Sequence, residues 1–322
     1  MTELIFGVGL PASTAPGNDP VGMAEEAERL GYDFVSAADH PTGPEPSYET
    51  TTMLTWIAAR TSQIKVASRV LAVPFRRPAM VAKLATSLDL LSGGRFILGM
   101  GAGYSDQEIA AMGAPLLSPA DKIDGLAEAI QVIRGAWGRS GFTQHGRHHS
   151  VHEVEMEPKP SAPIPVWLGT FGPRALAVTG RLADGWIPSL GYMPVEQIPV
   201  MRSRIDAAAE AAGRRPADIR SILNLGIRID PDAQPQPDVV TGSAEQVVSQ
   251  LRDLHGLGFT GFNFMIDGPD QVASMRRIAD EVLPALKSAI SRPIATPRST
   301  NQQRRNPGAS PTLRPLPRAR PG

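Results

Sequence analysis

The stretch IKVASRVLAVPFRRPAMVAKLATSLDLLSGGRFILGMG, residues 64–101, carries the pattern that decides the fold. It begins with an apolar, β-prone run at Ile64–Val70 and ends with another at Phe96–Gly101. Between them, apolar residues recur at helical spacing from Val81 to Leu88, and two glycines from Gly93 mark the end of the helix. Two apolar strands joined by a helix predict a βαβ unit with parallel strands buried on both faces.

The same alternation continues through most of the chain. It predicts eight strands: Leu4–Gly9, Phe34–Ala38, Ile64–Val70, Phe96–Gly101, Val166–Gly169, Gly185–Ile187, Ile222–Ile229 and Gly261–Ile266. Eight strand–helix units favour an α/β fold of the (β/α)8 TIM-barrel type. A doubly wound sheet is the alternative if the weakest strand, Gly185–Ile187, does not form.

Local signals add detail to this barrel. Ser118 followed by Pro119, and Ser243 followed three residues later by Gln246, are typical of helix starts. The segment FTQHGRHHSVHEVEMEPKP, residues 142–160, has a glycine between β-prone residues and predicts a hairpin insertion before the fifth strand.

The C-terminal segment has a different composition. Residues 291–322 contain seven arginines, seven prolines and no acidic residue, which predicts a disordered tail after a barrel domain over residues 1–290. The remaining chain has 25 basic and 32 acidic residues, so a nucleic-acid-binding surface is not expected on the domain.

Composition also limits where in the cell the protein is expected and which catalytic groups it can use. The chain has no uninterrupted apolar run of about 18 residues, and its opening MTELIFGVGL does not resemble a signal peptide. It contains 0 cysteines, which excludes disulfides, a thiolate nucleophile and cysteine-ligated metals. We therefore expect a cytoplasmic protein without a membrane span.

Polar residues at the carboxyl ends of barrel strands are the candidates for chemistry, because TIM-barrel active sites lie there. Asp39 and His40 follow the second strand, and His40 is a candidate general acid or base whose tautomer or pKa Asp39 would set. Arg69 interrupts the third apolar strand, so it either lines the barrel mouth or forms a structural salt bridge.

Two glycine-containing segments are candidate binding sites. Gly101 and Gly103 follow the fourth strand and would allow a flat ligand or another backbone to approach, although the spacing does not match a dinucleotide-binding motif. After the fifth strand, Gly169, Thr170, Phe171, Gly172, Pro173 and Arg174 connect a strand to a helix. Free N–H groups at a helix start beside a guanidinium are suited to phosphate.

The cluster His145, His148, His149 and His152 lies in the predicted hairpin. No carboxylate accompanies these histidines at the usual ligand spacing, so we interpret them as a solvated polar loop and expect no metal site.

Four segments together resemble the bacterial luciferase-like monooxygenase superfamily, and in particular its branch that uses the 5-deazaflavin coenzyme F-420. They are AADHPTG at Ala37–Gly43, VLAVPFRRPAMVAKLATSLDLLSGGRFILGMGAGY at Val70–Tyr104, KPSAPIPVWLGTFGPRALAVTGRLADGW at Lys159–Trp186, and TGSAEQVVSQLRDLHGLGFTGFNF at Thr241–Phe264. The resemblance covers about residues 1–288.

The resemblance implies a TIM barrel that binds F-420, or alternatively FMN, at its carboxyl-end face. It implies a cofactor phosphate on the Gly169–Arg174 turn. It also implies a non-proline cis peptide near Arg69–Val70, pressed against the back of the cofactor ring, so Arg69 and Val70 are candidate cofactor-binding residues. Asp39 and His40 match an Asp–His pair beside the ring in the sugar-phosphate dehydrogenases. Tyr104 stands roughly where those enzymes have a catalytic glutamate, and Tyr192 where they have a lysine for the substrate phosphate.

The activity implied is hydride transfer between the deazaflavin and a small organic substrate, with His40 handling the proton and Tyr104 or Ser189 as substitutes for that role. With FMN, a separate reductase would supply reduced flavin to a two-component monooxygenase. A catalytically silent ligand-binding barrel is a third interpretation. A homodimer is compatible with each of them.

Overall fold

The computed structural model describes residues 3–268 and 270–291. Its eight barrel strands are β1 (Ile5–Leu10), β2 (Phe34–Ala37), β3 (Lys65–Ser68), β4 (Phe96–Gly101), β5 (Val166–Leu168), β6 (Gly185–Trp186), β7 (Arg220–Ile229) and β8 (Gly261–Ile266). All eight predicted strands are present, with ends that shift by a few residues.

The strands form a closed parallel barrel. Each pairs with the next, and β8 returns to β1 with Ile5 opposite Gly261. The short strand β6 pairs with both β5 and β7, so the doubly wound alternative is wrong and the TIM barrel is confirmed.

The helices surround the barrel. They are α1 (Pro20–Arg29), α2 (Thr50–Arg60), α3 (Pro78–Ser92), α4 (Asp106–Ala111), α5 (Pro119–Gly138), α6 (Pro173–Leu182), α7 (Ile198–Ala211), α8 (Ala244–Gly256), α9 (Gln271–Arg277) and α10 (Leu283–Ser291). Ser118 caps α5, and Ser243 with Gln246 forms the predicted capping box of α8. Gly93 ends α3 in the left-handed conformation.

Additional elements decorate this framework. The predicted insertion is an antiparallel hairpin of Phe142–Gln144 and Val151–Val154. Glu128 of α5 anchors it, because its carboxylate accepts hydrogen bonds from the backbone N–H groups of residues 147–149. Two short strands, Leu71–Ala72 and Val239–Gly242, extend the sheet beside β4 and β7.

Apolar side chains fill the amino-end half of the barrel interior. Phe34, Ala67, Ile97, Trp167, Ile187 and Ile222 form this buried cluster, separate from the larger core between strands and helices. The ring of Trp167 meets Phe34 edge-on at a centroid distance of 5.4 Å. This layer fills that part of the barrel, and the carboxyl ends of the strands remain the face at which a ligand is expected.

Two charged side chains close the loops at the amino end. Arg95, just before β4, donates to the carbonyls of Ala58, Thr61, Ile64 and Ser92 and to the Thr61 hydroxyl. Glu28 accepts from the N–H groups of residues 62–64. Burial acts to raise the pKa of Glu28, but the hydrogen bonds from Ile64, Gln63 and Ser62 outweigh it and lower the pKa to about 2.

The ends of the chain bear on two further predictions. The final helix continues through Ser291, and its residue Leu286 is buried in the core. The predicted tail, apart from Ser291, lies outside the described residues, and the boundary at residue 290 stays a prediction. Within residues 3–268 and 270–291, no helix combines the length and apolar character that a membrane crossing requires.

Candidate active site

Asp39 is buried at the end of β2, where its carboxylate is fully engaged. It accepts hydrogen bonds from Arg76 Nη1 and Nη2 at 2.6 and 2.9 Å and from the backbone N–H of Ala72 at 3.1 Å. The interpretation that Asp39 orients His40 is therefore wrong. Asp39 instead fixes the segment that follows β3.

His40 is exposed at the rim and has a different acidic partner. Its Nδ1 lies 3.1 Å from both carboxylate oxygens of Glu108. Glu108 is in the first turn of α4, where its N–H donates to the side chain of the N-cap residue Ser105. Our sequence reasoning missed Glu108, although Ser105 followed three residues later by a glutamate is a recognisable helix-start spacing.

Aromatic rings continue from His40 along the rim. The centroids of His40 and Tyr104 lie 6.0 Å apart, those of Tyr104 and Tyr192 6.5 Å, and those of Tyr192 and Phe171 5.7 Å. Partial burial, helped by Tyr192 and Glu108, raises the pKa of Tyr104. The structure thus brings the predicted residues His40, Tyr104 and Phe171 to one side of the mouth.

Val70 follows the predicted non-proline cis bond, which joins Arg69 to Val70. Its side chain packs against glycines of the next strands. A Cβ atom on Gly101 would lie 2.7 Å from Cγ2 of Val70, and one on Gly169 would lie 3.4 Å from both Val70 methyl groups. The absence of side chains at Gly101 and Gly169 thus accommodates Val70.

Gly103 has a similar explanation. It adopts a positive φ of 81°, and a Cβ atom there would lie 2.9 Å from the ring of Pro74. The space we had assigned to a flat ligand at Gly101 and Gly103 is therefore used by protein atoms. A cofactor contact at either position would involve backbone.

The turn Gly169–Arg174 opens helix α6 as predicted. Gly172 is the N-cap, no side chain caps the helix, and the position where a Gly172 side chain would stand has no atom within 4 Å. Pro173 occupies the first turn, while Thr170 is buried and hydrogen-bonded to Thr179. The helix start thus offers its N–H groups to an anion.

The guanidinium of Arg174 is less available to a phosphate than the sequence predicts. Its Nη2 donates to both oxygens of Asp124 on α5 at 2.6–2.7 Å, and both side chains are substantially exposed. An anion at the start of α6 would compete with Asp124 for this guanidinium.

The luciferase-like monooxygenase family model matches residues 5–236 of this chain. The chain belongs to that family. An F-420-dependent glucose-6-phosphate dehydrogenase of Kribbella flavida is 26% identical over 317 residues, which cover 84% of this chain and 94% of the relative.

Solved structures extend the comparison to the fold. An F-420-dependent secondary alcohol dehydrogenase in complex with an F-420–acetone adduct superposes with a TM-score of 0.80 at 17% identity, covering 88% of this chain and 99% of that one. A riboflavin lyase with modified FMN and riboflavin gives 0.75 at 15% identity, covering 89% and 92%. These similarities show that the luciferase-like fold is shared.

A row of hydrogen-bonded polar side chains crosses the interior of this luciferase-like barrel above the apolar layer. Ser36 donates to Asn263 at 2.9 Å, and Asn263 donates to Asn224 at 3.0 Å. Asn224 lies 3.3 Å from Ser189 Oγ, to which it donates. Only Ser189 was predicted; the others sit in strands that read as apolar runs.

Arg69 lies above this row, at the mouth. Its Nη1 contacts the sulfur of Met265 at 3.5 Å, and its buried Nε has no hydrogen-bond partner. Among the described residues it forms no ion pair, so the salt-bridge alternative is not what the structure shows. Desolvation lowers the pKa of Arg69 to about 10, which leaves it charged at neutral pH.

The hairpin histidines have carboxylate neighbours that the sequence spacing did not indicate. His148 lies beside the carboxylates of Asp121 and Asp124 on α5, which are distant from it in the chain. Arg147 and Arg174 already pair with these two carboxylates. Two guanidinium groups beside the cluster disfavour a cation there.

A basic cavity of about 460 Å³ separates the hairpin from the rim. Its lining includes Arg76, Arg77, Lys122 and Arg147, together with His148 and His149. Burial lowers the pKa of His149. Most of these cations already have carboxylate partners: Arg76 pairs with Asp39, Lys122 with Asp106 and Arg147 with Asp121. Among the described residues, Arg77 is outside these pairs and would favour an anionic part of a ligand there.

Proposed function

We propose that this protein is an oxidoreductase that transfers a hydride between coenzyme F-420 and a small organic substrate. The observation that carries the proposal is His40, exposed at the barrel rim with Nδ1 held 3.1 Å from Glu108. The curated relative named as an F-420-dependent dehydrogenase supports the choice of cofactor. The fold shared with the F-420-dependent alcohol dehydrogenase is consistent with it.

The residues present fit a phosphate-bearing cofactor with a flat ring. The uncapped start of α6 would hold the phosphate through its N–H groups, with Arg174 beside it. Val70 would support the ring from the barrel side. When bound, the deazaflavin supplies the carbon that donates or accepts the hydride.

Glu108 would give His40 a defined role. With the proton on Nδ1 directed to the carboxylate, Nε2 is left as the acceptor that takes a proton from a substrate hydroxyl, or returns one in the reverse direction. Tyr104, kept protonated by its raised pKa, and Ser189 are the second proton-carrying groups at the mouth. Catalysis also requires the mouth to hold the two reacting carbons together and to exclude water.

The proposal does not extend to sugar phosphates. Tyr192 stands where the resemblance implies a lysine for the substrate phosphate, and its ring packs against Phe171. A homodimer is a further prediction, to which exposed apolar side chains on the outer helices α2 and α3, such as Trp56 and Met80, lend support.

The test is a pair of fluorescence titrations with F-420 and with FMN. We expect F-420 to bind more tightly. Reversed affinities would favour the alternative, an FMN-dependent two-component monooxygenase served by a separate reductase, which the fold of the FMN-containing riboflavin lyase supports. Tight F-420 binding without turnover of any substrate class would favour the silent ligand-binding barrel.

A further inference from the structure

Arg69 is a half-buried cation that the fold itself does not use. The charge of a guanidinium in a low-dielectric interior is costly unless hydrogen bonds or an opposite charge compensate it. Here the side-chain contact of Arg69 is to the thioether sulfur of Met265, which is only a weak acceptor. Within the part of the chain that the structure describes, its buried Nε has no hydrogen-bond partner.

The surroundings of Arg69 offer its charge little compensation. A Cβ atom on Gly9 would lie 3.6 Å from Nη2 of Arg69 and 3.6 Å from Nδ2 of Asn263. That Asn263 nitrogen is itself a donor, committed to Asn224, and the Asn263 oxygen accepts from Ser36. Of the two donors near Gly9, the Asn263 nitrogen thus has its acceptor, whereas Arg69 has only the weakly accepting sulfur of Met265.

The carboxylates at the mouth are committed to other groups. Asp39 is held by Arg76, Glu108 pairs with His40, and Asp267 lies 2.8 Å from Arg228. None of the three is available for Arg69 without breaking an existing pair.

We propose that Arg69 binds a carboxylate of the substrate, so that the preferred substrates are small organic acids rather than neutral alcohols. The inference rests on the proposed function, and it moves Arg69 from the cofactor, where the sequence reasoning had placed it, to the substrate. A single planar guanidinium matches a carboxylate in charge and in geometry. Arg69 immediately precedes Val70, and β3 neighbours the strand that leads to His40, so the acid would be held at the mouth where the proton-handling group lies.

The experiment measures ligand binding and needs no turnover. F-420 is titrated first. The loaded protein is then titrated with a series of small monocarboxylates, from acetate to benzoate, with the corresponding amides and with inorganic phosphate, using cofactor fluorescence and calorimetry. We expect at least one carboxylate to bind about tenfold or more tightly than its amide, as a charge-assisted hydrogen bond provides.

Three variants test whether Arg69 is responsible for the carboxylate preference. Arg69→Met should abolish the carboxylate preference and leave F-420 affinity unchanged, and Arg69→Lys should retain part of it. Arg228→Met, which removes a mouth arginine that already has a carboxylate partner, should leave the preference intact. Because Arg69→Lys keeps the charge, its carboxylate preference can be measured even if Arg69→Met does not fold.

Several outcomes would overturn the proposal. They are equal binding of acids and amides by the wild type, a stronger preference for phosphate, or an unchanged carboxylate preference in either Arg69 variant. Loss of F-420 affinity in Arg69→Met, without a change in carboxylate preference, would return Arg69 to the cofactor. Failure of the wild type to bind F-420 would instead count against the proposed function. In that case, calorimetric titration of the cofactor-free protein with the same carboxylates would still test whether Arg69 binds a carboxylate.

Discussion

Arg95 and Arg69 lie at opposite ends of neighbouring strands, and burial lowers the pKa of both. Neither has a carboxylate partner among the described residues. At the amino end, Arg95 satisfies its donors with four backbone carbonyls and a hydroxyl. At the carboxyl end, Arg69 makes one weak contact to sulfur. Hydrogen-bond satisfaction, more than burial or charge, therefore distinguishes Arg95, which the fold uses, from Arg69, which we propose binds a ligand.

The largest effect is expected at the carboxyl end. His40→Ala should lower turnover by about a hundred- to ten-thousand-fold, the range for loss of a general acid or base, with little change in cofactor affinity. The measurement is steady-state kinetics with a substrate of the wild type, beside a cofactor titration. His152→Ala, which removes an exposed hairpin histidine, is the control and should be silent. Lost thermal stability with normal turnover per folded molecule would mean that His40 is structural.

The two arginines themselves can be exchanged for methionine. Arg95→Met leaves the carbonyls of Ala58, Thr61, Ile64 and Ser92 without these donors and should lower the free energy of unfolding by about 2–4 kcal/mol. Arg69→Met removes an uncompensated charge and should change it by less than about 1 kcal/mol, or increase it. Urea denaturation measures both values. Equal losses of unfolding free energy in the two variants would contradict the distinction between Arg95 and Arg69.

A third test addresses the anion site at α6. Arg174→Ala should weaken F-420 binding by about tenfold, the lower end for a charge-assisted hydrogen bond, because Asp124 already competes for this guanidinium. Asp124→Asn should have the opposite effect. A cofactor analogue without the phosphate is the control ligand. If its affinity falls equally in Arg174→Ala, the arginine does not bind the phosphate.

The smallest effect concerns acid stability at the amino end. The folded-state pKa of Glu28 is about 2, below its ordinary value near 4.5, so its contribution is present above pH 4.5 and is lost as the pH falls toward 2. After allowance for solvent screening, this loss is about 1 kcal/mol. Glu28→Gln should flatten the wild-type decline in unfolding free energy between pH 5 and pH 2. Parallel pH profiles for the two proteins would contradict the assignment.

The sequence predicted the barrel well because its signals are local. The apolar runs of eight buried strands, and the cap formed by Ser243 and Gln246, depend on residues close in the chain. Even the short strand β6 was predicted from the sequence. Its two residues, Gly185 and Trp186, are both buried in the structure.

The candidate active site was harder to predict from the sequence, because its contacts join residues that are distant in the chain. Asp39 and His40 are adjacent in sequence, yet their side chains point to different partners, as consecutive residues of extended backbone do. The partner of His40 is 68 residues away, and that of Asp39 is 37. Asn224 and Asn263 were missed because each is flanked by apolar residues in its strand, and only closure of the barrel makes them neighbours.

The contact between Val70 and Gly101 also limits which sequences this barrel can adopt. A methyl group on Gly101 collides with one branch of Val70, and loss of that branch relieves the collision. At Gly99 the obstacle is the backbone carbonyl of Ser68, which no substitution can remove. Residue 101 can therefore gain a side chain only after residue 70 has lost this branch, which fixes the order of the two changes, whereas residue 99 is held to glycine in any lineage that keeps this backbone.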